Sequence, residues 1–200
     1  MENSEYPVIN CDFSELEGTC CYCSEEAARQ IRQAIEGLPL HAVHMIGTGD
    51  YHYISLFWLE KLSEPFTLVL FDNHPDDQQT AFGGGLLSCG SWVGEARNLP
   101  FCQASVWIRN AEGLDRLSGI NGPLYLSVDL DVLSPEYART DWDQGDMSLS
   151  TLVSAIEGLM AEHAVLGADI CGGITPGKGG TEADLAINRA TTSAICGLFK

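Results

Sequence analysis

Leu68, Val69, Leu70 and Phe71 run without a polar break into Asp72-Asn73-His74-Pro75-Asp76-Asp77. A short continuous apolar run predicts a strand buried on both faces, as in parallel sheets. Side chains alternate along an extended chain, so Asp72, His74 and Asp76, at i, i+2 and i+4, fall on one side of it. Open α/β sheets carry their chemistry at the carboxyl ends of their strands, where these residues stand. A second stretch repeats the pattern: Pro123-Leu124-Tyr125-Leu126-Ser127-Val128 is closed by Asp129-Leu130-Asp131. Either cluster alone reads equally well as the cap of a following helix. Two of them, each ending a β-run, favour a bound cation, because a buried carboxylate left unpaired is costly. With His74 in the set, mixed nitrogen and oxygen donors suit manganese, iron or zinc better than calcium.

The chain of 200 residues has the length of one domain, 1–200. It can bury a sizeable core without staples. With 45% hydrophobic and 19% charged residues it is globular rather than disordered. The net charge of −18 argues against nucleic acid or an anionic membrane as partner. It tolerates a cationic substrate or bound metal, although a solvated acidic surface explains it as well. Self-association into a homo-oligomer is compatible with the sequence. No apolar run reaches the ~20 residues of a membrane span. Met1-Glu2-Asn3-Ser4-Glu5 lacks the basic and apolar segments of a signal peptide. A cytoplasmic location is therefore expected, with the eight cysteines mostly as thiols.

In chain order, residues 7–13 alternate weakly and predict an opening strand. Ser24 is a good N-cap, and Glu25 and Glu26 suit the first turn of a helix through Leu38. Cys20, Cys21 and Cys23 lie just before it. They read as small residues in a turn or as a redox or metal site, although no second cysteine or histidine pair completes a zinc set. Residues 41–47 predict a strand, and a helix begins at Tyr51. His52 thus falls in a strand-to-helix loop at the same sheet edge as Asp72 and Asp129, which favours a ligand; His41 and His44 read as structural. The glycine-rich run Phe82 to Ser91 lacks the Lys-Ser/Thr of a phosphate loop. It reads as an active-site wall or a plain connection into a helix over 91–98. A strand at 104–109 follows. Past the irregular residues 136–144, a helix capped by Ser148 or Ser150 spans 151–163. Strand 164–171, a loop over 172–180 and a helix over 182–198 complete the chain. Strands alternating with helices predict a three-layer α/β/α fold with a mostly parallel central sheet.

Gly49-Asp50-Tyr51-His52-Tyr53, Asp72-Asn73-His74-Pro75-Asp76 and Ser127-Val128-Asp129-Leu130-Asp131-Val132-Leu133-Ser134-Pro135 resemble the three metal motifs of the arginase and agmatinase family of ureohydrolases. The resemblance implies an arginase-like fold and two Mn2+ ions per chain. Asp72 and Asp129 would bridge them, His52 and Asp76 would complete one, and His74 and Asp131 the other. Such a pair acidifies a shared water, which then attacks an electrophilic carbon. Asp76 would take its proton. The implied reaction is hydrolysis of a non-peptide C–N bond in a small cationic guanidino or amidino compound, or in a peptide side chain.

Departures from the family concern the substrate. Arginases follow the last Asp-Ile strand with a glutamate that grips the guanidinium; here Asp169-Ile170 is followed by Cys171-Gly172-Gly173. The family's proton-shuttling histidine is replaced by Cys89. Asp141 and Asp143 stand where the family has Thr and Gly, and Asp143 is the expected source of the missing negative charge. Two other readings remain open. One is a zinc-dependent amide deacetylase of the same fold, which normally needs an adjacent histidine pair absent here. The other is a non-catalytic metal or thiol sensor using Cys20, Cys21 and Cys23.

Overall fold

A computed structural model describes residues 6–79 and 86–200. Met1–Glu5 and the Phe82–Gly85 part of the glycine-rich run lie outside the described residues. Six strands form one sheet: β1 (Val8–Asn10), β3 (Val43–Gly47), β4 (Phe66–Phe71), β6 (Cys102–Ile108), β7 (Leu124–Asp129) and β8 (Val165–Cys171). Their spatial order is β1-β3-β8-β7-β4-β6, and every pairing in it is parallel. The short strands β2 (Tyr22–Cys23) and β5 (Leu87–Ser88) form a separate antiparallel ribbon.

The α/β/α reading holds. All six residues of β4 and of β7 are buried. Alternation splits β4: Phe66, Leu68 and Leu70 join one core, with α1 (Glu25–Ile35), α2 (Ile54–Leu59) and α3 (Trp92–Ala96). Val69 and Phe71 join the other, with α4 (Leu149–Glu162) and α5 (Glu182–Cys196). Each layer therefore has its own hydrophobic cluster, and the sheet is the shared wall. None of the helices among the described residues is long and apolar enough to cross a membrane.

Local signals explain where the helices begin and stop. The Ser24 hydroxyl accepts from the Ala27 amide and starts α1. That helix ends at Ile35, three residues short of the expected Leu38, because Leu38 precedes Pro39 and is disfavoured in helical backbone. Ser148, not Ser150, caps α4 through the Thr151 amide. Thr181 and Asp184 form a reciprocal capping box on α5. The final helix stops at Cys196, and a 3-10 turn carries the chain to Phe199.

His44 is structural, as expected. It is fully buried, stacks on Trp58 with ring centroids 3.5 Å apart, and meets the Pro39 carbonyl and the Tyr125 hydroxyl. Burial pushes its imidazole down to about 4. The unfolded chain binds a proton near pH 6.5 that the folded chain refuses. His44 stability is thus complete above that pH and is lost as pH falls toward 4, with about 2 kcal/mol gone by pH 5. Thermal melts of wild type and His44→Gln at pH 7 and pH 5 test this. The variant is expected to be weaker at pH 7 but to lose less between the two.

Candidate metal centre

Three segments bring six side chains to the carboxyl edge of the sheet. β4 ends immediately before Asp72, and the turn after it carries His74 and Asp76. β7 ends on Asp129, and a 3-10 turn at Leu130–Val132 carries Asp131. His52 comes from the turn between β3 and α2. Its Nδ1 lies 3.2 Å from Asp72 Oδ2, 3.1 Å from Asp76 Oδ2 and 3.5 Å from Asp129 Oδ2. His74 Nδ1 lies 2.8 Å from Asp131 Oδ2 and 3.6 Å from Asp72 Oδ1. All six residues except His74 are buried.

The acids are steered from behind. The His74 amide donates to Asp72, the Asn73 amide to Asp131 and the Asp131 amide to Asp129, at 2.6, 3.0 and 2.9 Å. The Trp92 indole N–H donates to Asp76 Oδ2 at 2.8 Å. Asp76 itself adopts φ +46°, an uncommon backbone for a residue with a Cβ, which turns the chain back toward the cluster.

His52 is held by a relay. Its Nε2 meets Ser127 Oγ at 2.9 Å, and Ser127 donates to Asp169 Oδ1 at 2.7 Å. Ser127 therefore accepts from Nε2–H; against the pull of burial, the acids around Nδ1 keep the ring protonated without a cation, and a bound cation would take the Nδ1 lone pair in place of that proton. Ser127 and Asp169 are register partners on β7 and β8, so the sheet itself builds the relay. Ser127→Ala is expected to weaken metal binding about 10–100-fold, as loss of such outer partners does. Titration calorimetry with Mn2+ checks it; unchanged affinity would remove the relay from the account.

The charges demand compensation. Burial raises the Asp129 carboxyl well above the usual range, and Asp131 and Asp72 beside it push the same way. The hydrogen bond to Asp131, then the nearby Asp72 carboxylate, push His74 up to about 10. The donor chemistry fits two cations. His52, Asp72 and Asp76 offer atoms within 4.8 Å of one another, as do Asp72, His74 and Asp131. Asp72 belongs to both trios. Asp129 lies against His52 and is close enough to Asp131 and Asp72 to feel their charge.

The six residues line a cavity of about 320 Å³, together with Cys21, Gln78, Cys89 and Trp142. That volume is at the small end for ligand pockets, which suits a small molecule. A larger cavity of about 560 Å³ lies between β1 and α5. Asp12, Arg189, Cys171 and Cys196 are on its wall, but none of the ligating trios among the described residues lies wholly there. Trp142 is partly exposed and meets the His74 ring edge-on, at 5.9 Å between centroids. The ribbon of β2 and β5 brings Cys21 and Cys89 to the same cavity, and the Cys89 amide donates to the Cys21 carbonyl.

Asp141 and Asp143 fall elsewhere. Lys178 pairs with Asp141 at 3.1 Å, and Asp143 is exposed. Neither lines the cavity, so the acid expected opposite a substrate cation is not found on its wall among the described residues. Nor do the three N-terminal thiols converge. Cys23 is buried in the α1–α3 core and donates to the Ser24 carbonyl. Cys20 and Cys21 approach Asp50, whose carboxylate is already paired with the Lys178 ammonium.

No protein-family model matches the chain. An uncharacterized protein of Thermotoga maritima is 33% identical over 151 residues, 68% of this chain and 60% of that protein. Among solved structures, a hypothetical agmatinase from Burkholderia thailandensis superposes with a TM-score of 0.65 at 22% identity. The match covers 90% of this chain and 66% of that one. The proclavaminate amidino hydrolase of Streptomyces clavuligerus gives 0.66 at 18% identity, covering 88% and 71%. The arginase of Bacillus caldovelox gives 0.63 at 16% identity, covering 90% and 79%. The chain thus has the arginase-like fold. It spans less than two thirds of the Thermotoga protein and of the Burkholderia structure.

Proposed function

We propose that the protein is a hydrolase dependent on two divalent cations, manganese first, that cleaves a non-peptide C–N bond of a small guanidino or amidino compound. The observation that carries this reading is the convergence of His52, Asp72, His74, Asp76, Asp129 and Asp131 from three separate segments onto one small cavity. The names of the fold's solved neighbours, an arginase, an agmatinase and an amidino hydrolase among them, support it.

When bound, the cations supply a water acidic enough at neutral pH to attack an electrophilic carbon. Asp76, oriented by Trp92, is placed to accept its proton. Cys89 lines the same cavity, and burial, with Asp76 and Asp50 nearby, pushes its thiol up to about 11. Its position on the cavity wall is what would let it donate to the departing nitrogen. The exposed face of Trp142 offers a substrate cation an aromatic surface.

The test is release of urea or ammonia by the manganese-loaded protein from a panel of guanidino and amidino compounds, with metal counted by elemental analysis. Turnover of one class with two ions per chain is expected. Two bound ions with no release from any compound would overturn the reaction. A single zinc would favour the deacetylase reading, and metal lost in Cys20→Ser, Cys21→Ser and Cys23→Ser the thiol sensor.

A further inference from the structure

Cys171 is the last residue of β8, and the six-ligand set above leaves it out. It is the register partner of Asp129 on β7, and Gly47 of β3, with no side chain, faces it from the other side. The thiol is buried. Its sulfur lies 3.0 Å from Asp129 Oδ2. The other thiol-to-oxygen contacts among the described residues are looser: 3.7 Å for Cys11, 3.6 Å for Cys20 and Cys23, and 3.5 Å for Cys102. Cys171 Sγ, Asp129 and His52 also offer atoms within 4.8 Å of one another, a third trio that shares His52 with the first. Bond lengths of about 2.3 Å to sulfur and 2.0–2.2 Å to nitrogen and oxygen allow one ion to reach all three.

We propose that the Cys171 sulfur is a further ligand, as thiolate, of the cation held by His52 and Asp129. The inference rests on the two-cation reading above and sharpens it. One position gains a soft donor beside nitrogen and oxygen and selects a borderline ion such as Zn2+. The other, built from Asp72, His74 and Asp131, keeps hard donors with one imidazole and accepts Mn2+. Binding at the first position breaks the S–H bond and releases its proton to solvent, with no change of oxidation state.

The experiment is titration of the metal-free full chain with Co2+, followed by optical absorption. Visible d–d bands report that the ion binds. A thiolate-to-cobalt charge-transfer band in the near ultraviolet reports sulfur. Both are expected in the wild type. Cys171→Ser is expected to lose the charge-transfer band and the preference for Zn2+ over Mn2+ while keeping the visible bands. A Cys20→Ser/Cys21→Ser/Cys89→Ser variant is expected to keep both. X-ray absorption at the zinc edge of the wild type needs no variant, and a sulfur neighbour at about 2.3 Å is the expected result. Ions bound with only nitrogen and oxygen neighbours would overturn the role of Cys171 and leave the two-cation reading standing. A charge-transfer band that survives Cys171→Ser but not the triple variant would overturn it too. Failure to bind either metal would overturn both.

Discussion

Asp129→Asn is expected to abolish metal binding and activity together while leaving the metal-free protein at least as stable as the wild type. Asp129 is buried at the end of β7, with Asp131 and Asp72 close enough to raise its carboxyl and His52 Nδ1 at 3.5 Å. In the metal-free chain its negative charge is a burden: low dielectric and two like-charged neighbours both disfavour it. An amide of the same shape removes that repulsion and still accepts from the Asp131 amide through its carbonyl oxygen. With cations present the sign reverses, because the amide supplies no charge where two ions need it. A ligand at 100 times its dissociation constant adds about 2.7 kcal/mol of stability. At about 2–4 °C per kcal/mol for a chain of this size, manganese should raise the wild-type melting temperature by about 5–11 °C. It should leave the variant unmoved. Calorimetry with and without manganese reads both signs in one experiment. A variant that melts lower without metal yet keeps the full shift with it would remove Asp129 from the centre.

Much of this was legible because the information is local. Residues 68–71 announce a doubly buried strand by composition alone, and the acids after it follow from alternation. His52 is placed by the glycine turn that ends β3. What stayed hidden depends on register and on distant loops. Nothing in the sequence says that Cys171 lies beside Asp129, or Asp169 beside Ser127, because strand pairing across 42 residues is a property of the sheet. The β2–β5 ribbon has two residues per strand, too few for periodicity to register. Lys178 neutralises Asp50 from 128 residues away. Its pairing with Asp141 explains why an acid that looked available for a substrate already has a partner.

Gly172→Ala is expected to remove the manganese effect as the ligand substitution does and to cost stability besides, although it adds one methyl group to a residue that ligates nothing. Gly172 has φ +96°, a backbone that costs a residue with a Cβ about 1–2 kcal/mol. The larger difficulty is space. A Cβ built there would lie 1.9 Å from Asp129 Oδ1 and 2.9 Å from the Leu130 nitrogen. Asp129 would have to swing away, breaking its hydrogen bond to the Asp131 amide and leaving the cluster it completes. The metal-free variant is expected to be weaker by about 2–4 kcal/mol, a size typical of strain combined with overpacking. Its manganese-dependent rise in melting temperature should disappear. Gly173→Ala is the matched control: its Cβ would come no closer than 3.2 Å, to the Asn188 side-chain amide, and it should keep the manganese effect. Equal losses in the two variants would assign the damage to the loop rather than to Asp129. The same geometry bears on substrate choice. The glutamate that the family resemblance places after the last Asp-Ile strand has no room at Gly172, because its own Cβ would collide with Asp129. Recognition of a cationic substrate therefore cannot use a carboxylate from that position. Under the proposed function, a substrate cation would be met instead, among the described residues, by the cavity wall around Trp142 and Gln78.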